Sequence, residues 1–286
     1  MRAACYVGVD VGSQRLRLVR LDRTRRAVAL SCLVGRDVPP GAPLAERSRL
    51  LAQMLDEAKV RGQGCAVALN FPDAQVHTTA LPPMSARERE GAAHFHAARF
   101  IDYPVREAVV TVGGLASSDA CVVGIARRER LDALTKLVRS CGARVLAVDH
   151  AMFALRRALP EADVIIDIGC SFTRLYAFAA GSPSGQAAAA GAAGVTEIVA
   201  QSLGIDVSMA ERRKRTVACP ATHAALEDLG RQIARLLKSL LRTASGARIA
   251  LTGNGSRIPG MARVLGDAVG NAVLLGEPPR NLSSPY

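Results

Sequence analysis

Tryptophan is absent from this chain, and aromatic residues make up only 3% of it. Proteins that grip single-stranded nucleic acid stack its bases on aromatic rings, so a dedicated single-strand binder is not expected. No stretch approaches the roughly 18 consecutive apolar residues of a membrane span. Met1-Arg2-Ala3-Ala4-Cys5 leads directly into a strand pattern rather than into the apolar region of a signal peptide. A cytoplasmic protein is therefore expected. The C-x-x-C spacing of metal and redox motifs is also missing. The cysteines, Cys5, Cys32, Cys65, Cys121, Cys141, Cys170 and Cys219, are odd in number and scattered through mostly apolar surroundings, and they read as reduced core residues.

Of the 286 residues, 49% are hydrophobic, which is enough to build a sizeable core over roughly two domains. The formal charge of +12 comes mainly from arginine, clustered at Arg15, Arg17, Arg20, Arg23, Arg25 and Arg26, at Arg127, Arg128 and Arg130, and at Arg212, Arg213, Lys214 and Arg215. Such clusters attract nucleic acid, anionic lipid or an acidic protein. They are explained equally well as arginines that solvate ordinary surfaces.

The strongest functional signal is a repeat. Val9-Asp10-Val11-Gly12-Ser13 and Ile166-Asp167-Ile168-Gly169-Cys170 each close an apolar strand with an acid-x-Gly turn that leads into a second strand. A glycine in such a turn lets backbone N–H groups approach a phosphate, and an Asp on the preceding strand can hold hydrated Mg²⁺ against it. Two facing hairpins of this kind could clamp a nucleotide.

Around them, strand and helix alternate as in α/β folds. The first hairpin spans Cys5 to Asp22, with a third strand at Arg26 to Leu33, a helix from Leu44 to about Lys59 and a short buried strand at Cys65 to Leu69. The texture changes between Asn70 and Gly124. There the pattern predicts a strand at Gln75 to Leu81, a helix opened by the capping box Ser85-x-x-Glu88, and strands at Ala108 to Val112 and Ala120 to Ile125. The main pattern resumes with a helix from Arg127, a strand from Ala143 to Val148, a helix from about Asp149 to Ala158 and the second hairpin at Val164 to Phe178. Gly181 to Gly194, rich in small residues, reads as a loop before a helix at Val195 to Leu203. Ser208-x-x-Glu211 reads as the capping box of a basic helix, and Leu226 to Leu241 as a long amphipathic one. A strand at Arg248 to Leu251 ends in Thr252-Gly253-Asn254-Gly255-Ser256, with Pro259 near the first turn of the next helix. Gly253-x-Gly255 lacks the third glycine and the acid of a dinucleotide fingerprint, which argues against an NAD site. His94 and His96 fall two apart on a predicted helix, hence on different faces, and read as surface or packing residues rather than metal ligands.

Phosphate hairpin, connecting helix, second phosphate hairpin and a late strand ending in a Gly-rich turn occur here in the order that resembles the actin, Hsp70 and sugar-kinase superfamily. Within it the chain is most similar to the PilM family of type IV pilus assembly. The supporting stretches are Leu81-Pro82 before a helix that ends near Ile101-Asp102-Tyr103-Pro104, Val123-Gly124-Ile125-Ala126-Arg127-Arg128, Val148-Asp149, and Leu251-Thr252-Gly253-Asn254-Gly255-Ser256-x-Ile258-Pro259-Gly260. The resemblance implies an α/β, actin-like (ribonuclease H-like), two-lobed ATPase fold with an inserted α+β subdomain. Its first lobe would be 1–69 and 126–160, its insert 70–125, its second lobe 161–276 and its tail 277–286.

Position by position, the resemblance implies that Gly12, Ser13 and Gln14 cradle phosphate from one side and Gly169, Cys170 and Ser171 from the other. Asp10 and Asp167 would position Mg²⁺ through water, and Gly253, Asn254 and Gly255 would meet the adenosine of ATP. Glu211 and Lys214 would border base and ribose, with the capping box an equally good reading of Glu211. Asn254 stands where the family usually carries glycine, and Cys170 and Gln14 where small hydroxyl residues or glycine are common. Asp149 and His150, at the start of the connecting helix, are the candidates for orienting a water, and the expectation is nucleotide binding with slow turnover at most. The implied partner is the tail of a PilN-like inner-membrane protein, with pilus motor ATPases beyond it, which makes the chain cytoplasmic and peripheral to the inner membrane. The rival readings are an adaptor that needs no nucleotide, similar to the cytoplasmic domain of the type II secretion protein GspL, and a small-molecule kinase of the same superfamily.

Overall fold

A computed structural model describes residues 4–23, 25, 27–39, 41–114, 120–178, 182–216, 219–240 and 246–277. Strands β1 (Ala4–Val11), β2 (Arg15–Arg23) and β3 (Val28–Asp37) form an antiparallel meander. Helix α1 (Leu44–Glu57) carries the chain back to β4 (Gly64–Leu69), which lies parallel to β1. Next, β5 (Ala74–Ala80), α2 (Ala86–Ala97), β6 (Ala108–Gly114) and β7 (Ala120–Arg127) build a separate antiparallel sheet in the order β5-β7-β6. Helix α3 (Arg128–Ser140) returns to β8 (Arg144–His150), parallel to β4, and α4 (Ala151–Ala158) leads to the second lobe.

That lobe repeats the first. Strands β9 (Val164–Ile168), β10 (Thr173–Ala177) and β11 (Ser184–Ala188) form another antiparallel meander. Helices α5 (Ala192–Leu203), α6 (Val207–Thr216) and α7 (Pro220–Leu240) precede β12 (Ile249–Thr252), parallel to β9. A 3₁₀ turn (Asn254–Arg257), α8 (Met261–Val269) and β13 (Val273–Leu275), parallel to β12, complete it. The strand orders are β3-β2-β1-β4-β8 and β11-β10-β9-β12-β13, so the repeat of two short motifs is a repeat of whole five-stranded sheets.

Side-chain periodicity accounts for these elements. Leu16 and Leu18 alternate with Arg15 and Arg17 on β2, which puts both leucines at 0% exposure and the arginines on the other face. In β9, Val164, Ile165, Ile166 and Ile168 are all buried, as befits a strand covered on both faces. Along α7, Leu226, Leu229, Ile233 and Leu237 recur at three- and four-residue spacing and form the stripe that packs on that sheet. The lobes meet through Met152, Ile165 and Tyr176, with Val76 of the smaller sheet against them. The capping box of α2 is present: Ser85 Oγ accepts from the Glu88 N–H at 3.3 Å, and Glu88 accepts from the Ser85 N–H at 2.8 Å.

Three expectations are corrected. The Gly181 to Gly194 segment, where it is described, is not a loop: Ser184–Ala188 is the edge strand β11, held to β10 by backbone bonds. Gly185 packs closely there, since a Cβ would sit 3.0 Å from Met152 Cε and 3.3 Å from the Tyr176 ring. Helix α5 accordingly starts at Ala192 rather than Val195. The cap of α6 comes from Asp206, whose carboxylate accepts from the Met209 N–H at 2.9 Å, because Ser208 is occupied by Arg212 and Glu211 faces α5. Of the expected tail 277–286, all but Glu277 lies outside the described residues.

Every cysteine is free, and Cys65, Cys121 and Cys141 are buried. No helix among the described residues is long and apolar enough to cross a membrane. Much of the arginine is paired: Arg15 with Asp37, Arg17 with Asp10, Arg20 with Asp22, Arg127 with Asp102, Arg130 with Asp73 and Arg215 with Glu211. Such pairing favours the solvated-surface reading of the clusters over a bare cationic patch.

Candidate functional site

The two acid-x-Gly hairpins make the same turn. The Gly12 N–H donates to the Arg15 carbonyl at 3.0 Å, and the Gly169 N–H donates to the Phe172 carbonyl at 2.9 Å. A Cβ on Gly12 would lie 2.6 Å from that Arg15 oxygen, and one on Gly169 would lie 3.0 Å from the Phe172 oxygen, so only glycine closes the first turn. Each turn is also held from behind by a helix. Arg47 of α1 donates to the carbonyls of Gly12 and Ser13 at 3.1 and 2.6 Å. In the second lobe the first N–H groups of α5, at Ala192 and Ala193, donate to the carbonyls of Gly169 and Cys170, both at 2.9 Å. Gly191 permits that approach, since a Cβ there would sit 2.4 Å from the Cys170 oxygen. Neither Arg47 nor Gly191 was singled out from the sequence. The small-residue run around Gly191 was the available signal, and it was read as a loop.

Gly253 and Gly255 press against the second hairpin. A Cβ on Gly253 would fall 2.3 Å from the Ile168 oxygen and 2.6 Å from the Asp167 carboxylate, and one on Gly255 would fall 2.2 Å from the Ile168 side chain. Phosphate turn and Gly-rich turn are thus one packed unit. Asn254, between those glycines, bonds through its side-chain oxygen to Arg17 of the first lobe.

Both acids face arginines. Asp10 pairs with Arg17 at 2.8 Å and is half exposed, whereas Asp167, with its side chain 16% exposed, lies 3.5 Å from Arg174 and 3.5 Å from the Thr252 hydroxyl. Burial pushes the Asp167 carboxyl above its usual pKa, with Arg174 opposing that rise. Arg174 also donates to the Phe71 carbonyl at 3.2 and 2.9 Å, and the buried Tyr176 hydroxyl donates to Asn70, so the second lobe is tied just beneath the hairpins to the segment that leaves β4. Among the described residues no group of three or more His, Cys, Asp or Glu could hold a metal.

Glu211 and Lys214 belong to an internal network. Lys214 is 3% exposed, and its ammonium donates to the Ala192 carbonyl at 2.7 Å and pairs with Glu211 at 2.5 Å, while the Thr196 hydroxyl donates to Glu211 at 2.6 Å. Burial pulls the Lys214 pKa down against the opposing pull of Glu211. Burial tends to raise the Glu211 carboxyl, but hydrogen bonds from Lys214 and Thr196 leave it below its usual value. The pair fixes α6 on the first turn of α5, directly behind the Gly169–Cys170 turn.

Asp149 and His150 lie between the first lobe and the smaller sheet. The His150 Nδ1 accepts from the Met152 N–H at 3.2 Å and caps α4, its Nε2 donates to the Ala74 carbonyl at 3.3 Å, and Asp149 accepts from the His150 N–H at 2.8 Å and pairs with Arg157. Both ring nitrogens of His150 are therefore engaged by backbone. Beside this pair runs a groove of about 520 Å³, with Val76, Thr111, Val122 and Ile125 of the smaller sheet along one wall and Val148, Phe153 and Arg157 along the other. Its residues come from seven separate elements, β4, β5, β6, β7, α3, β8 and α4, and no contiguous motif marks it.

No protein-family model and no curated protein sequence matches the chain. Among solved structures, the PilM-PilN type IV pilus biogenesis complex aligns over 98% of this chain and 90% of that one, with 25% identity and a TM-score of 0.86. The chain is PilM-like, with an actin-like fold. Two further structures support the fold alone. The ethanolamine utilization protein EutJ from Carboxydothermus hydrogenoformans shares 15% identity over 97% of this chain and 87% of that one, with a TM-score of 0.63. A non-polymerising MamK mutant bound to AMPPNP shares 14% over 97% of this chain and 96% of that one, with a TM-score of 0.51. The two repeated five-stranded sheets of this PilM-like chain are therefore the two lobes of an actin-like protein.

Proposed function

We propose that this chain serves type IV pilus assembly as an actin-like scaffold at the cytoplasmic face of the inner membrane, where it binds the cytoplasmic tail of a PilN-like membrane protein. The observation that carries this reading is the likeness to the PilM-PilN complex across 98% of the chain. The groove supplies a place for the tail. Its volume, about 520 Å³, lies within the roughly 300–1,000 Å³ of small-molecule sites, room for a few side chains of a tail, and its apolar walls end in the Asp149–Arg157 pair. One wall belongs to the inserted subdomain, taken as 70–125, and the other to the part of the first lobe taken as 126–160. A tail seated there would feel any movement of one against the other, which suits a scaffold that passes a lobe movement to a membrane partner and, through it, to the pilus motor ATPases.

The cleft is read as a nucleotide site. Gly12, Ser13 and Gln14 would hold the phosphates of ATP from one side and Gly169, Cys170 and Ser171 from the other, with Gly253, Asn254 and Gly255 toward the adenosine. Arg47 beneath the first turn and the α5 N-terminus beneath the second make these turns rigid before any ligand arrives. The nucleotide then joins the lobes, and holding it rather than turning it over suits a scaffold.

Thr111 is exposed and lines the groove from the edge strand β6, so arginine there should block the groove without disturbing the core. Fluorescence anisotropy with a labelled peptide copied from the cytoplasmic tail of the PilN-like protein should show saturable binding to the wild-type chain. Thr111→Arg should weaken it by about tenfold or more, the size of a central interface contact. A peptide that binds the variant as tightly as the wild type would remove the groove from this function.

A further inference from the structure

The two halves of the repeat share more than an acid and a glycine. Arg17 follows Asp10 at the same distance in sequence as Arg174 follows Asp167. In both antiparallel hairpins that arginine is the direct cross-strand partner of the acid, Asp10 opposite Arg17 and Asp167 opposite Arg174. Directly opposed residues project from the same face with Cβ atoms about 4.5–5.5 Å apart, so each pairing is built into the strand register rather than into a choice of rotamer. Each guanidinium then reaches beyond its own lobe: Arg17 to the Asn254 side chain of the second lobe, and Arg174 to the Phe71 carbonyl at the start of the segment taken as the insert. Arg47 adds a further positive charge beneath the first turn, spent on carbonyls rather than on a carboxylate.

Three guanidiniums thus stand against two carboxylates. Hydrated Mg²⁺ does not fit this arrangement. It binds through carboxylates that receive its octahedral shell of waters, and here one oxygen of each carboxylate is set against a permanent cation that repels a divalent ion, Asp10 Oδ2 2.8 Å from Arg17 and Asp167 Oδ2 3.5 Å from Arg174. Polyphosphate suits it well, because the planar fork of a guanidinium meets two phosphate oxygens at once.

We infer that this cleft takes the polyphosphate of a nucleotide without a divalent metal, with the guanidiniums of Arg17 and Arg174 standing where the metal would. This rests on the nucleotide reading above and departs from the Mg²⁺ expected from the sequence. Arg17 and Arg174 are then the residues that set the site's ligand specificity, and transfer between Asp10 or Asn254 and a phosphate lets Arg17 link ligand and lobes.

Titration calorimetry of the purified chain with ATP, in excess EDTA and in excess Mg²⁺, tests this. Affinities equal within about threefold are expected, a difference of less than 1 kcal/mol. Arg17→Ala should weaken binding in EDTA by about tenfold or more and make it respond to Mg²⁺, since Asp10 is then free to hold hydrated metal. Arg17 is partly exposed and outside the core, so this variant keeps its fold even where Arg174→Ala does not. The inference is overturned if the wild type binds ATP only with Mg²⁺, or if Arg17→Ala binds as well as the wild type in EDTA. A folded wild type that binds ATP in neither buffer overturns the nucleotide reading itself, an outcome distinct from metal dependence.

Discussion

Alanine at Gly253 is expected to lower stability by about 3 kcal/mol or more and to remove nucleotide binding, whereas alanine at Gly270 should cost only about 1 kcal/mol. Both glycines have positive φ, +82° at Gly253 and +69° at Gly270, so the sign of φ alone does not separate them. Surroundings do. Gly270 has nothing within 4 Å of where its Cβ would be, and its left-handed conformation simply ends α8. Gly253 pairs φ +82° with ψ 171°, a region occupied almost solely by glycine, and its Cβ would overlap both the Ile168 carbonyl and the Asp167 carboxylate. Neither neighbour can retreat, because β9 is the central strand of its sheet and Asp167 is pinned by Arg174 and Thr252. The turn itself must therefore lift off, taking Asn254 and its bond to Arg17 with it. Urea unfolding of both variants and calorimetry with ATP would check this. Equal losses at the two positions would mean that the Gly-rich turn does not need its contact with the phosphate hairpin.

The duplicated hairpin was legible because an acid and a glycine at fixed spacing, each after an apolar strand, leave a strong local trace. Its extension to two whole sheets was not, since β11 is written in small residues with little strand preference and β13 is only three residues long. Those strands exist because their neighbours offer unpaired backbone, a property of the sheet rather than of the segment. Arg17 and Arg174 were in plain view at matching offsets from their acids. Their meaning became apparent only once the register set each one opposite its acid. Glu211 illustrates a different limit. Ser208-x-x-Glu211 has the letters of a capping box, but α6 starts earlier on Asp206, and the buried Lys214 offers Glu211 a stronger partner than a backbone N–H. The groove left no trace at all, because its walls come from segments far apart in the chain that only the tertiary fold brings together.

Acid should destabilise this protein through His150, and His150→Asn should largely remove that sensitivity. Burial holds the His150 pKa down to about 4, and its hydrogen bonds agree with a neutral ring, Nε2 donating to Ala74 and Nδ1 accepting from Met152. A proton on Nδ1 would set two donors against each other at the start of α4. In the unfolded chain the same imidazole titrates near its ordinary value of about 6.5. The unfolded state therefore binds the extra proton first as pH falls. The stability that neutral His150 contributes is complete above about pH 6.5 and is lost progressively down to about pH 4, for a total of about 3 kcal/mol. Asp167, whose carboxyl is raised by burial, works in the opposite direction, favouring the folded state at low pH. Comparing wild type with His150→Asn cancels that contribution, since both carry Asp167. Asparagine keeps a side-chain oxygen to accept from Met152, so the helix cap survives while the titration disappears. At pH 7 the variant should be less stable by about 1 kcal/mol, for the lost bond to Ala74. Between about pH 6.5 and 4 its unfolding free energy should then fall by about 3 kcal/mol less than that of the wild type, so the two stability curves cross. Urea titrations at several pH values in this window would show the crossing, and parallel curves would mean that His150 takes up its proton in the folded protein as readily as in the unfolded chain. Because His150 also lines the groove, its protonation would place a positive charge beside the Asp149–Arg157 pair at the site proposed for the partner's tail. In the folded protein the ring takes up its proton only near pH 4, so binding of that tail should hold level from about pH 6.5 to 5 and change only as the pH approaches 4, and it should stay level throughout in His150→Asn.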